Sequence, residues 1–314
     1  VVVKVCKQEL ERSPDVALQI AAMKALTEVM QSSAQCTTQG LLVELKAAAD
    51  ELMQHGKSLL GGRTQISLMA GCELMVRHVT RAASMSSRAD FETSKARLVQ
   101  RGKEFAEACL QSRPKLAAFA EGFIHDGAVV LVHGFSRAVL SILLRAATTQ
   151  NFSVVVTEGR AVGGSGYVLL EKLAEAHIPT TLVLVRRVWC CLKMSEVDLV
   201  LVGAEAVVES GGVVNVIGTY QCAVVARCLS VPFYVAAESL KFARIFPLGQ
   251  RDISEREEMR ALEPCCPGTV LPASTKVDNP GVDFTPPEFI NLLFTDLGVF
   301  TPSAVSDELI KLYT

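Results

Sequence analysis

Residues 200–226 read VLVGAEAVVESGGVVNVIGTYQCAVVA, and this stretch decides the fold. An apolar run ends in Gly-Ala-Glu at Glu205, which indicates a buried strand followed by an acidic side chain. A turn at Gly211-Gly212 precedes Asn215, and the Ile-Gly-Thr-Tyr of residues 217–220 opens a helix. Ligands of parallel sheets bind at the carboxyl ends of the strands. The stretch therefore predicts a strand that delivers polar groups to a ligand cleft.

The same alternation of strand and helix extends on both sides of this stretch, from Gly127 onward. The strand-like runs are AVVLVHG, FSVVVTE, TTLVLV, DLVLVGAE and PFYVAAE, and the helical stretches are Ser136–Ala147, Gly166–Ala176 and Thr219–Leu229. Alternating strands and helices of this length predict right-handed crossovers and a parallel sheet. We predict a Rossmann-like α/β domain over residues 125–314. Within it, the Pro-rich and charged Arg251–Pro287 is predicted to be a loop, and Ser303–Leu312 a terminal helix.

The first third of the chain, residues 1–124, has the pattern of amphipathic helices instead. Helices are predicted to start at Ser13-Pro14-Asp15, after Thr38, at Asp90 and at Ser112-Arg113-Pro114, and a further helix is predicted to run near Glu73–Ala83. The side chains predicted to face inward are Val16, Ile20, Met23, Met30, Leu41, Leu45, Leu52, Leu98, Phe105, Cys109, Leu116, Phe119, Ala120 and Phe123. Short connections between such helices favour an antiparallel bundle. The predicted fold class is thus α/β, with an N-terminal helical bundle followed by a Rossmann-like parallel-sheet domain.

The composition narrows the class of protein. Half of the 314 residues are hydrophobic and the mean hydropathy is +0.33, which a sheet buried on both faces explains. No segment reaches the roughly 20 unbroken apolar residues of a membrane span, and Glu205 and Glu209 interrupt the most apolar region. The net charge of −2 argues against nucleic-acid binding by bulk electrostatics but leaves room for a local basic patch.

The ten cysteines follow no metal-binding or disulfide pattern. They lack CxxC spacing, and the adjacent pairs Cys190-Cys191 and Cys265-Cys266 have poor geometry for bridging each other. The apolar segment at the N-terminus is too short for a signal peptide. We therefore expect reduced thiols in a cytosolic protein, with no metal and no cofactor.

Polar residues follow four of the predicted strands and define a candidate ligand pocket. Because the carboxyl ends of parallel strands share one edge, these side chains are expected to lie together. The pocket residues we predict are His133, Ser136, Arg160, Gly163, Gly164, Ser165, Glu205, Asn215 and Lys241. Glu158 and Glu238 accompany them at the same strand ends.

Each of the main pocket features has a functional and a structural interpretation. The glycine-rich 163–166 turn, with Arg160, would hold a phosphate at a helix N-terminus, but it fits equally with a flexible turn. His133 suits a general acid or base, or a bond to backbone at a strand end. Glu205 needs either a ligand or a nearby Arg or Lys, because it follows a buried strand.

Two pairs of arginines occur at four-residue spacing in the helical third: Arg77 with Arg81, and Arg97 with Arg101. Each pair shares one helix face. Such faces suit a phosphorylated or acidic partner. The alternative is an ordinary solvated surface.

Several blocks carry a resemblance to a known family over nearly the whole chain. They are VGAEAVVESGGVVNVIGTYQCAVVA, PFYVAAESLKFARIFPL, LLFTDLGVFTPSAVSDELIKLY, HGFSRAVL and VVVTEGR. These blocks resemble the family that unites subunits of eukaryotic translation initiation factor 2B with methylthioribose-1-phosphate and ribose-1,5-bisphosphate isomerases. The C-terminal block points to the alpha-subunit branch rather than to the beta and delta branches.

The resemblance also shows where the chain departs from the isomerases. Their catalytic cysteine corresponds to Gly134, their aspartate to Glu205, and a lysine to Val216, while Arg160 and Asn215 are retained. Glycine has no proton to transfer, and the longer glutamate displaces the carboxylate, which can cost ~10²-fold in rate. The resemblance therefore implies a protein that is not an enzyme and that has no catalytic residues. The alternative is an aldose–ketose sugar-phosphate isomerase with an unusual site.

For the alpha-subunit branch, the resemblance implies a regulatory subunit of the guanine-nucleotide exchange factor for initiation factor 2. Its implied partners are a second copy in a homodimer, the beta and delta subunits, and initiation factor 2, especially its phosphorylated alpha subunit. The retained pocket implies a sugar-phosphate or nucleotide ligand, without direct nucleic-acid or membrane binding. Val185–Leu192 departs from the family pattern near the dimer surface, where Val188 and Trp189 are candidate contact residues.

Overall fold

The computed structural model describes residues 1–13, 16–55, 59, 65–84, 91–159, 165–189, 197–254, 272, 274–276 and 278–313. Its α-helices are α1 Val2–Arg12, α2 Leu18–Ser32, α3 Thr38–His55, α4 Gln65–Ser84, α5 Phe91–Leu110, α6 Ser112–Ala120, α7 Arg137–Ala146, α8 Ser165–Glu175, α9 Thr219–Cys228, α10 Gln250–Ser254 and α11 Pro302–Tyr313. The strands are β1 Val129–His133, β2 Ser153–Thr157, β3 Thr180–Val183, β4 Leu199–Gly203, β5 Ala206–Val207, β6 Val213–Val216, β7 Phe233–Ala236, β8 Val282–Thr285, β9 Leu292–Thr295 and β10 Gly298–Phe300.

Helix α2 is the centre of the helical region, because α1, α3, α4 and α5 all pack against it. Nearly every side chain from Leu18 to Met30 is buried, as expected for a helix surrounded by other helices. The predicted inward positions Leu41, Leu45 and Leu52 on α3 are buried. The helical N-terminal region is thereby confirmed, and α1 is an additional helix that the sequence pattern did not indicate.

Two details of the predicted helices were wrong. Helix α2 begins at Leu18 with Ala17 before it, rather than at Ser13, and residues 14 and 15 lie outside the described residues. Phe119 is 48% exposed, although it was predicted to face inward. Helix α6 buries the face of Leu116 and Ala120 against α7 and β9, and this face leaves Phe119 on the solvent side.

The main sheet has seven strands in the order β10-β9-β7-β4-β1-β2-β3. All neighbouring pairs are parallel except β9 with β10. The central strand β4 is buried along its whole length, which explains why its sequence is continuously apolar rather than alternating. The predicted parallel sheet is confirmed, with β9 and β10 as additional strands.

A second, antiparallel sheet has the order β5-β6-β8 and was not predicted. It pairs the hairpin after Glu205 with β8, whose Val282 and Phe284 are buried in a small core of their own. The prediction of one loop over Arg251–Pro287 was therefore wrong where the structure describes this range. The composition signalled a loop because the strand contributes only four residues to a long Pro-rich stretch.

The hydrophobic core is continuous from the helical region into one face of the main sheet. One cluster joins Met75 of α4 to Val200 of β4 and Phe242 after β7. A second cluster fills the opposite face, between the sheet and helices α6, α7 and α8. The two-domain boundary between residues 124 and 125 stays a prediction.

Candidate functional site

The carboxyl ends of β7, β4, β1 and β2 lie side by side along one edge of the sheet. Four of the predicted polar residues, His133, Glu158, Glu205 and Glu238, lie at these strand ends or within two residues after them. The predicted Arg160, Gly163 and Gly164 lie outside the described residues, so the structure gives no geometry for them.

His133 ends β1 and is 1% exposed. Its Nε2 lies 3.0 Å from the carbonyl oxygen of Ile217, so Nε2–H donates to that carbonyl. Its Nδ1 then accepts from the hydroxyl of Thr157, at 2.7 Å. Burial lowers the pKa of the imidazole, which keeps it neutral. Both ring nitrogens form hydrogen bonds within the protein, one of them to a backbone carbonyl. This arrangement fits the structural role considered for this histidine, a bond to backbone at a strand end.

Ser136 has a local role at the start of α7. Its hydroxyl accepts a hydrogen bond from the backbone N–H of Val139, at 3.4 Å, and so caps the helix. The backbone of Gly203, at the end of β4, approaches it closely. A Cβ atom at residue 203 would lie 2.4 Å from the Ser136 Cβ and 2.5 Å from its Oγ.

Ser165 opens helix α8 and has a buried Oγ without a hydrogen-bond partner among the described residues. The backbones of two glycines with positive φ lie close to this atom. A Cβ atom at Gly159 would be 2.7 Å from the Ser165 Oγ, and one at Gly134 would be 3.9 Å away. The Ser165 hydroxyl is therefore a polar group at a helix N-terminus with unused hydrogen-bonding capacity.

Glu205 directly precedes β5, and Asn215 lies in the neighbouring antiparallel strand β6. The two side chains differ in their hydrogen bonds. The Glu205 backbone donates to the carbonyl of Val214, at 2.8 Å, and its carboxylate forms no ion pair or hydrogen bond in the described part of the chain. Asn215 is 6% exposed, and its Nδ2 donates to the Thr219 hydroxyl at 3.0 Å. Thus no described residue pairs with the Glu205 carboxylate, whereas Asn215 supports the first turn of α9.

Lys241 belongs to a buried ion cluster rather than to open solvent. Its Nζ donates to the carbonyl of Ala204 at 2.6 Å and lies 3.5 Å from Glu238 Oε2. The Nε of Arg113, on α6, donates to Glu238 Oε1 at 2.9 Å. Burial alone would raise the pKa of the Glu238 carboxyl, but Lys241 and Arg113 outweigh it and hold that pKa at about 2.

Asp283 on β8 is a buried acid at this edge that the sequence analysis missed. Its Oδ2 accepts from the backbone N–H groups of Gly218, at 2.7 Å, and Tyr220, at 3.0 Å, and thereby caps α9. Its Oδ1 is buried with no partner among the described residues. Burial raises the pKa of this carboxyl to about 7 despite the backbone donors. The alternation of Val-Asp-Phe-Thr was the available signal, but it lay inside a stretch with loop composition.

Outside the sheet edge, helices α4 and α5 carry the predicted arginines, all of them exposed: Arg77, Arg81, Arg97 and Arg101. The structure brings the two helices together through a stack of His78 on Phe105, with ring centroids 4.3 Å apart. His78 was not singled out from the sequence.

Metal and membrane functions find no support in the residues described. No group of three or more His, Cys, Asp or Glu side chains there is arranged to hold a metal ion. No helix in that part of the chain is both long and apolar enough to span a membrane.

The described geometry defines the class first: an α/β protein with a Rossmann-like sheet, an N-terminal helical region and polar side chains at the carboxyl edge of the sheet. Residues 11–302 match the model of the initiation factor 2 subunit family. The chain belongs to this family, as the resemblance predicted.

Among curated proteins, the chain is 43% identical to translation initiation factor eIF2B subunit alpha of Dictyostelium discoideum, over 98% of this chain and 95% of that protein. It is 33% identical to the Caenorhabditis elegans subunit alpha, over 97% and 96%. It is also 30% identical to ribose 1,5-bisphosphate isomerase of Archaeoglobus fulgidus, over 81% and 77%.

Solved structures agree with the predicted fold. A chain of the tetrameric eIF2B-beta2-delta2 complex from C. thermophilum aligns with a TM-score of 0.76 at 20% identity, over 99% of this chain and 93% of that one. The Pyrococcus horikoshii OT3 translation initiation factor eIF-2B aligns with a TM-score of 0.69 at 23% identity, over 96% and 97%. At these identities the likeness concerns the fold alone.

Proposed function

We propose that this chain is a non-catalytic regulatory subunit, of the alpha type, of the guanine-nucleotide exchange factor for translation initiation factor 2. The observation that carries the proposal is the 43% identity to a subunit alpha over 98% of the chain. In this role the protein acts in the cytosol, promotes assembly of the exchange factor and senses phosphorylated initiation factor 2.

The state of the sheet edge supports a role without catalysis. The resemblance puts the isomerases' cysteine at Gly134, which has no side chain to transfer a proton. The adjacent His133 uses both ring nitrogens in bonds to Thr157 and Ile217. Lys241 is held by Glu238 and a backbone carbonyl. Most of the polar groups there therefore serve the fold rather than a reaction.

The exchange reaction tests the main proposal. Beta, delta and catalytic subunits are assembled with and without the purified chain, and GDP release from initiation factor 2 is followed with and without the phosphorylated form. We expect the chain to increase assembly and to make exchange sensitive to phosphorylated factor. Exchange that stays insensitive after stable incorporation of the chain would contradict the sensing role. Failure to incorporate at all would contradict the subunit role.

The competing function is a sugar-phosphate isomerase, and its specific support is the 30% identity to the Archaeoglobus protein. Purified chain is incubated with ribose-1,5-bisphosphate and, separately, with methylthioribose-1-phosphate. We expect no conversion above background. Turnover that disappears in Glu205→Ala would overturn the non-catalytic assignment. Glu209→Ala is the matched control, because it also removes a nearby acidic side chain and should leave such turnover in place.

The sheet edge still has features of a ligand pocket, and we propose that it binds a sugar phosphate or a nucleotide. Support comes from the Ser165 hydroxyl at the start of α8 and the Glu205 carboxylate, which have no partner among the described residues and suit a phosphate and a sugar hydroxyl respectively. Calorimetry with a panel of sugar phosphates and nucleotides tests this. We expect binding that weakens in Ser165→Ala and Arg160→Ala. Absence of heat with every compound would reject the pocket.

The exposed arginines of α4 and α5 form basic helix faces that suit a phosphorylated partner. The four arginines of α4 and α5 are proposed to contribute to binding of the phosphorylated alpha subunit of initiation factor 2, since a phosphoserine carries nearly two negative charges. Alanine substitutions are expected to weaken binding of the phosphorylated partner and to leave the unphosphorylated partner unaffected.

A further inference from the structure

The seam between α4 and α5 has a defined centre. The imidazole of His78 on α4 stacks on the ring of Phe105 on α5, with centroids 4.3 Å apart and planes 15° from parallel. Both side chains are half-buried. The stack therefore fixes which residues of the two helices border the seam.

Two arginines flank this stack, one from each helix. Arg81 follows His78 by three residues and Arg101 precedes Phe105 by four, so each lies on the same helix face as its aromatic neighbour. Both arginines are exposed, and both act electrostatically on His78. Tertiary packing thus combines one member of each arginine pair into a single basic surface.

Among the residues described, no ion pair cancels the charge of this surface. The guanidinium groups of Arg81 and Arg101 form no ion pair or hydrogen bond with any described residue, whereas Arg77 and Arg97 have other interactions. The acid that acts on His78 is Glu104, and its carboxylate accepts a hydrogen bond from Gln100 at 3.0 Å. Burial, followed by Arg101 and Arg81, lowers the pKa of His78 against the opposing effect of Glu104. In the free protein the imidazole is therefore neutral near pH 7, between two permanent positive charges.

We propose that the seam formed by His78, Arg81, Arg101 and Phe105 receives the phosphate group of the phosphorylated partner, and that His78 gains a proton when it does so. The inference rests on the proposed function, and it narrows four candidate arginines to two. Each guanidinium can donate charge-assisted hydrogen bonds to phosphate oxygens. Burial and the two arginines lower the pKa of His78. The phosphate's negative charge offsets the arginines' share of this effect, and so favours the imidazolium.

The first test compares affinities for the alpha subunit of initiation factor 2 in its phosphorylated and unphosphorylated forms. The chain is used in its assembly with beta and delta subunits. We expect Arg81→Ala and Arg101→Ala each to weaken binding of the phosphorylated form by about tenfold, the loss of one charge-assisted hydrogen bond. Binding of the unphosphorylated form should not change. Lys103→Ala is the matched control, because Lys103 is on α5 but borders the cleft shared with α1 and α2.

The second test measures the proton. Calorimetry at pH 7 in buffers of different ionisation enthalpy gives the number of protons taken up per phosphorylated partner bound. We expect uptake by the wild type to exceed that of His78→Phe, which keeps an aromatic ring on Phe105 but cannot be protonated. Titration of the phosphate itself contributes equally to both proteins and cancels in the comparison.

The possible outcomes distinguish failure of the seam proposal from failure of the proposed sensing function. Wild-type protein that binds both forms of the partner equally contradicts the proposed sensing function, and the seam with it. Wild-type selectivity that survives Arg81→Ala and Arg101→Ala, or that falls equally in Lys103→Ala, contradicts the seam alone. Equal proton uptake by wild type and His78→Phe overturns the role of His78.

Discussion

Arg113, on the last helix before the sheet, donates from Nε to Glu238 Oε1 over 2.9 Å, at the carboxyl end of β7. Lys241 continues the cluster from Glu238 to the carbonyl of Ala204, next to the candidate pocket residue Glu205. A buried carboxylate therefore links the helical region to the edge of the sheet.

Removal of the Glu238 carboxylate should be strongly destabilising, because it leaves Arg113 and Lys241 without their shared counter-charge. We expect Glu238→Ala to lower the free energy of unfolding by about 3–5 kcal/mol. Its pKa of about 2 in the folded protein lies below its ordinary value of 4.5. The stabilisation is therefore complete above pH 4.5 and is lost as the pH falls toward 2. Urea unfolding from pH 2.5 to 6 measures this pH dependence. If Glu238→Gln loses as much stability as the wild type when the pH falls, Glu238 is not the group that titrates.

Asp283 should have the opposite pH dependence, because burial raises its folded pKa from 3.8 to about 7. The protonated Asp283 carboxyl adds roughly 4 kcal/mol to the free energy of unfolding. This contribution is fully present below about pH 4 and is lost as the pH rises through 7. Asp283→Asn keeps an oxygen that can accept from Gly218 and Tyr220, and it should flatten this slope. Urea unfolding between pH 4.5 and 8 measures it, with the exposed Asp307→Asn as control. A slope that persists in Asp283→Asn would show that another group titrates.

Gly134→Cys restores the residue type that the isomerases carry, and we expect no isomerase activity from it. Gly134 has a φ of +72°, where a side chain costs about 1–2 kcal/mol, although no atom lies closer than 3.7 Å to the added Cβ. Thermal unfolding should show the same loss for Gly134→Ala, since the cost belongs to the backbone. Measurable conversion of ribose-1,5-bisphosphate by Gly134→Cys would refute the prediction.

Gly203→Ala should destabilise the junction of β4 and α7. The new methyl group would lie 2.4 Å from the Cβ of Ser136, so one of the two elements must move, at a cost of about 1–3 kcal/mol. The double variant with Ser136→Gly should recover most of the loss, because glycine removes the clash and is a tolerable helix cap. A double-mutant cycle by chemical denaturation measures the recovery, and strict additivity would exclude a direct clash.

Self-association is expected to involve the exposed hydrophobic side chains near edge strand β3. Tyr167, Leu182 and Trp189 are 47%, 41% and 48% exposed, whereas Val188 is fully buried and is unsuited to the contact role predicted for it. We propose that the chain forms the homodimer that the resemblance implies, and we expect Leu182→Asp to shift it toward monomer in analytical ultracentrifugation. Val43→Asp is the control, because Val43 is an apolar and even more exposed residue on α3, at 60%, and it should leave the association unchanged. Equal behaviour of the two variants would remove β3 from the interface.

The sequence by itself determined the order of β1, β2, β3, β4 and β7 and of the helices between them, because apolar runs and apolar periodicity are local properties of the chain. Strand β4, helix α9 and helix α3 were predictable in this way. The blocks of residues 200–226 and 292–313 were sufficient to predict the family. Short strands such as β5 and β8 escaped prediction, because their pairing partners are distant in sequence and their few residues carry little periodic signal.

Only the tertiary structure decided which polar side chains form hydrogen bonds or ion pairs within the fold and which stay available for a ligand. The sequence put His133, Lys241 and Glu205 at strand ends. Only packing gave His133 two hydrogen-bond partners, enclosed Lys241 with Glu238 and left Glu205 without a partner among the described residues. It likewise brought His78 to Phe105. Hydrogen bonds, ion pairs and pKa shifts depend on distances between residues remote in the chain, and local sequence does not set those distances.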